Sequence, residues 1–176
     1  MKHRKGSWDP TAPALASAQR ELPLFAAEYF ASGRKAAKKR VTPEDLHEFR
    51  LSTKHFRYLL ELFSPVYGEG MNMLLEQLRA VQTLLGDLND YAVTESMVRP
   101  KNSRDSAETA LLLDFLAQQN KKKRSEFRKY WKESFDSDGA EARWIAYLAR
   151  GTAPRKTTSR LGSKVSANVR PSKVSQ

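Results

Sequence analysis

The stretch Leu46-His47-Glu48-Phe49-Arg50-Leu51-Ser52-Thr53-Lys54-His55-Phe56-Arg57-Tyr58 carries the strongest chemical pattern in the sequence. Wound as a helix at about 100° per residue, with His47 at zero, it puts Arg50 at about 300°, Lys54 at about 340° and Arg57 at about 280°. The four groups share a sector of about 80° and recur at i, i+3, i+7 and i+10, over ~15 Å of helix axis. Phe49, Phe56, Leu60 and Phe63 fall on another side, at about 160–220°. A row of stacked cations repels itself, and an extended anion relieves that repulsion along its whole length. Arginine suits phosphate because its planar fork donates two hydrogen bonds at once, and His47 adds a further donor. Glu61 shares the sector, four residues after Arg57 and placed to brace it. An ordinary solvated basic face, with His47 as a half-buried spacer, fits the same spacing.

A second cationic patch follows later. Lys121, Arg124, Arg128 and Lys132 lie within about 80° of one another on a helix, with Lys122 and Lys129 beside them and Phe127 and Tyr130 turned away. A lysine-rich solvated face explains this patch equally well. Arg34, Lys35, Lys38, Lys39 and Arg40 lead into the helix of the first row and are placed to extend the patch.

Other chemistries lack their residues. The sequence contains no cysteine, which excludes disulfides, zinc–thiolate sites and thiol nucleophiles. Glu44-x-x-His47 has the spacing found in di-iron bundles, but those need two such motifs and two further inward glutamates. Glu44 is better explained as a first-turn acid. The three histidines, His3, His47 and His55, accompany no nucleophile motif, and no glycine-rich phosphate loop is present. Di-iron and catalytic-triad chemistry are therefore not expected, and no catalytic residue, cofactor or metal is called for.

Helices must position these side chains. Residues 1–13 read as a flexible arm broken by Pro10 and Pro13. A short helix is expected from about Ala14 to Arg20, and a longer one from Pro23 towards Ala37, weakened at Gly33. Thr42-Pro43-Glu44-Asp45 reads as the capped start of a helix that stops before Ser64-Pro65. A third helix spans about Met71 to Met97, with Leu74, Leu75, Leu78, Val81, Leu85 and Leu88 as core positions. Ser103 is the expected cap of a fourth, running to about Ser134. After the turn Asp136-Ser137-Asp138-Gly139 a last short helix covers Ala140 to Arg150. No stretch alternates like a strand. The expected architecture is all-α: an antiparallel helical bundle of about four main helices over residues 14–150, with flexible basic termini. Each amphipathic stripe needs burial before its helix is stable, and a 40% hydrophobic composition supplies one core.

Lys and Arg number 31 against 20 Asp and Glu, a net +11. Residues 151–176 hold six basic side chains and no acid, so they read as a disordered basic tail suited to a polyanion. No apolar run approaches the ~20 residues of a membrane span, and the basic start is not followed by a signal-type apolar segment. The expected location is cytoplasmic.

His47-x-x-Arg50-x-x-x-Lys54-x-x-Arg57-Tyr58-x-x-Glu61-Leu62-Phe63 resembles the signature helix of CHAD domains, the conserved histidine α-helical domains. Leu78-Arg79-x-x-Gln82-x-x-Leu85-Gly86-x-x-Asn89-Asp90 resembles the second recurrent segment of that family, so the likeness covers roughly residues 22–98. The resemblance implies a helical module that binds inorganic polyphosphate through basic residues lining a central groove, without catalysis. Carried over by position, His47, Arg50, Lys54 and Arg57 become phosphate ligands, Arg79 joins them from the third helix, and Lys121, Arg124 and Arg128 remain the supporting patch. Where the family often has a histidine before the aspartate of the second segment, this chain has Asn89. Family modules resemble two related four-helix halves facing each other. This chain supplies about one half, which implies a homodimer that rebuilds the groove. Binding of DNA or RNA through the basic tail and lysine patches is the alternative partner, and a purely structural helical protein is the third reading.

Overall fold

A computed structural model describes residues 6, 8–99 and 106–150. Among these residues the chain is all-helical, with 84% in helix and no strand. The helices are α1 (Ala14–Ala36), α2 (Pro43–Tyr67), α3 (Gly70–Val98), α4 (Ala107–Ser134) and α5 (Ala140–Arg150), so the expected four become five. None of them is long and apolar enough to cross a membrane.

Two helices run through prolines at which breaks were expected. α1 is continuous across Pro23, although an interior proline removes a donor and costs ~3 kcal/mol. Ala18 and Leu22 are buried on one side of it and Ala26, Tyr29 and Phe30 on the other. Burial contributes about 1.5–3 kcal/mol for each large apolar side chain, which outweighs the loss. α2 likewise passes Pro65 and ends at Tyr67, because Leu60 and Tyr67 are both fully buried. Gly68, at φ 73°, then turns the chain in the left-handed region that glycine tolerates. The start of α2 is the one the sequence spells out: Thr42 Oγ1 accepts the Asp45 N–H at 3.1 Å, with Pro43 in the first turn. α4 is capped by Ser106, whose Oγ accepts the Thr109 N–H at 3.2 Å. Ser103, the expected cap, lies outside the described residues, as do the basic tail 151–176 and residues 1–5 and 7 of the arm.

Side-chain pairings fix how the helices lie. Arg57 meets Gln82 and His47 meets Asn89, so α2 and α3 run in opposite senses. Lys123 pairs with Asp87 and Tyr130 reaches the Gln77 carbonyl, which sets α4 against α3 in the same way. Arg34 with Glu141 and Gln19 with the Arg150 carbonyl lay α5 back along α1. The interior has two parts. α3 contributes an aliphatic row, Leu74, Leu75, Leu78, Val81, Leu85 and Leu88, all buried. The other helices contribute an aromatic cluster in which Tyr29 lies within 6 Å of Phe49, Phe56, Trp131 and Phe135.

Phe56 packs on Tyr29 and Trp144 from the buried side of α2 and so anchors the helix that carries the cation row. Phe56→Ala is expected to cost about 3–5 kcal/mol in urea denaturation. A loss below about 1 kcal/mol, the level of an exposed site, would contradict this packing.

Candidate functional site

The cation row on α2 lies along α3, which contacts its two ends. At one end, His47 Nδ1 is 3.2 Å from Asn89 Oδ1. As placed, Asn89 Oδ1 accepts from Nδ1–H. Where a titrating partner was absent from the sequence motif, Asn89 still orients the ring. At the other end, Arg57 Nε donates to Gln82 Oε1 at 2.7 Å and Arg57 Nη1 to Glu61 Oε1 at 2.5 Å. Arg79 Nη2 reaches the same Glu61 oxygen at 3.3 Å. One carboxylate thus sits between two guanidiniums, leaving that end with one net positive charge. Tyr58 backs it, with the Arg57 guanidinium 4.4 Å from the ring centroid.

The middle of the row differs from its ends. Among the described residues neither Arg50 nor Lys54 makes an ion pair, and Arg50 Nε is buried without a hydrogen-bond partner. Lys54 Nζ lies 5.7 Å from the Tyr58 centroid. A buried donor left unpaired costs about 1–3 kcal/mol. Opposite this stretch α3 offers room. Gln82, Gly86 and Asn89 stand four and three residues apart and share a helix face. Gly86 therefore falls between the two contact points, and a Cβ there would meet nothing within 4 Å. The row is thus held at both ends by side-chain hydrogen bonds to α3, with Arg50 and Lys54 unpaired between them.

The second patch meets the first only at its edge. Arg124 lines a small crevice together with His47, Asn89 and Asn120, where the start of α2 meets α3 and α4. Its guanidinium is fixed, with Nε donating to Asn120 Oδ1 at 2.7 Å and Nη1 to the Val41 carbonyl at 3.0 Å. Burial, and then the neighbouring Arg128 charge, lower its pKa below the usual arginine value. Lys121, Arg124 and Arg128 line a separate cleft with Lys39, away from Arg50, Lys54 and Arg57. Lys123 is engaged by Asp87 and Glu126 at 3.0 and 3.1 Å. Among the described residues no cluster of three or more His, Asp or Glu could hold a metal ion.

Gln82 and Asn120 were not singled out as positioning groups from residue types, although each fixes an arginine. The signal for Gln82 was its spacing from Gly86 and Asn89; nothing local marks Asn120, four residues before Arg124.

The family model described as CHAD domain matches residues 2–99, which is more than half of the 176 residues and spans α1, α2 and α3. No curated protein and no solved structure matches the chain. The matched span contains the α2 cation row and the α3 face that holds it, the two segments whose motifs resembled the family. The chain belongs to the CHAD domain family.

Proposed function

We propose that this protein binds inorganic polyphosphate, without catalysis, in the groove between α2 and α3 of an antiparallel helical bundle. Arg50 and Lys54 are the central ligands, flanked by His47 and by Arg57 and Arg79 around Glu61. Lys121, Arg124 and Arg128 form a second phosphate-binding patch. The observation that carries this reading is the α2 cation row held at both ends by Asn89 and Gln82, with Arg50 and Lys54 left without an ion pair between them. A linear chain of phosphoryl groups supplies repeated acceptors along the row and neutralises cations that otherwise repel. Two copies facing each other would double the cations around one chain, and light scattering with and without polyphosphate tests that pairing.

The competing partner is nucleic acid held by the basic tail, favoured by the six cations of residues 151–176. Competition separates the two. Long polyphosphate is expected to displace DNA from the full chain at equal phosphate concentration, and His47→Ala with Arg50→Ala is expected to abolish that advantage. DNA winning the competition, with affinity indifferent to those substitutions, would move binding to the tail.

A further inference from the structure

The α4 cations face a concavity of their own, a cleft of about 450 Å³ between the α1–α2 connection and the paired helices α3 and α4. Lys39 lines it from the connection, Glu95 from α3, and Asn120, Lys121, Arg124 and Arg128 from α4. Four cations therefore border a space with one acid. That acid is engaged elsewhere: Glu95 Oε1 accepts from Arg99 Nε at 3.2 Å and Arg99 Nη2 at 2.6 Å. Arg124 is locked by Asn120 and the Val41 carbonyl, so its charge stays at the cleft wall. The repulsion between Arg124 and Arg128 is relieved by an anion placed between them.

The shape of this site differs from that of the groove. The α2 row is linear and presents its cations one after another, which matches the interior of a phosphate chain, where each phosphoryl group has one ionisable oxygen. The cleft gathers four cations around one volume, which matches a denser charge. In condensed phosphates that density is at the ends, because a terminal phosphoryl group carries a second ionisable oxygen. We propose that this cleft recognises chain ends and short linear condensed phosphates such as tripolyphosphate, while the α2–α3 groove holds the interior of longer chains. The division of labour rests on the polyphosphate reading above; the end-recognition by the cleft is measured apart from it.

The test is calorimetric titration of the full chain with tripolyphosphate and with cyclic trimetaphosphate, which has as many phosphorus atoms and no ends. The linear compound is expected to bind about tenfold tighter or more, the scale of one charge-assisted contact. Lys39→Ala with Lys121→Ala is expected to remove that preference, and both side chains are exposed, so the fold tolerates the change. Arg128→Lys, which keeps the charge and loses the fork, is expected to weaken the preference in the same direction. Equal affinity for the two compounds, or a preference surviving in the double variant, overturns end recognition. Long polyphosphate titrated into the unaltered chain reads the groove separately. If it fails to bind while the linear preference holds and needs Lys39 and Lys121, the groove reading falls and the cleft stands.

Discussion

Replacing Arg50 and Lys54 together with methionine is expected to weaken polyphosphate binding by about a hundredfold, taking each lost charge-assisted contact as at least ~1.5 kcal/mol. Arg50→Met alone is expected to raise the stability of the free protein. Its Nε–H is buried without a partner, so removing it relieves a desolvation cost of about 1–3 kcal/mol. Methionine keeps a long, flexible apolar stem in place of the arginine's own. The opposite signs distinguish a ligand from a structural residue, because a side chain that held the bundle together would lose stability and binding at once. Calorimetric titration and thermal unfolding of the same samples check both. Loss of stability in Arg50→Met, with binding unchanged, would make Arg50 a packing residue.

A second large effect on the fold is expected at Gly33. A Cβ there would sit 1.8 Å from Cη2 of the Trp131 indole and 2.2 Å from Cζ2. Trp131 cannot retreat: it is fully buried, stacked at 4.5 Å on Phe135, and flanked by Tyr29, Phe30, Phe49 and Phe127. Alanine favours helix over glycine by about 1 kcal/mol, yet overpacking in a close-packed interior costs about 1–3 kcal/mol and sometimes more. Since the added methyl overlaps a ring hemmed in by five others, Gly33→Ala is expected to destabilise by about 2–3 kcal/mol net. Trp131→Phe shortens the opposing side chain and is expected to restore part of that loss in the double variant, a non-additivity that contact requires. Denaturant unfolding of the two single variants and the double measures it. A stabilised Gly33→Ala protein would mean the two helices are not held so close.

The helices legible in the sequence were those with local punctuation. Thr42-Pro43 started α2 as read, and Gly139 preceded an α5 with the expected bounds. Pro23 and Pro65 misled because a proline is a local signal, whereas the burial that carries α1 and α2 past them depends on residues far away in sequence. Gly33 looked like a weak point in a helix and is the seat of an indole from α4. The α2 row was legible because the helical period alone groups His47, Arg50, Lys54 and Arg57. Its internal division was not: Arg57 and Arg79 share Glu61 across two helices, while Arg50 is left unpaired, and such pairing depends on the register of α2 against α3. The separation of the α4 cations into their own cleft depends likewise on Lys39, which the chain brings there from the connection between α1 and α2.

The Arg50 Nε–H group itself gives the most direct measurement. In nitrogen–proton correlation spectra of the full chain, its cross-peak can be identified by its disappearance in Arg50→Lys. Titration with long polyphosphate is expected to move that peak saturably, as the anion engages the Arg50 guanidinium. A peak that stays in place while the protein saturates with polyphosphate would show that the anion is held elsewhere and would contradict the account.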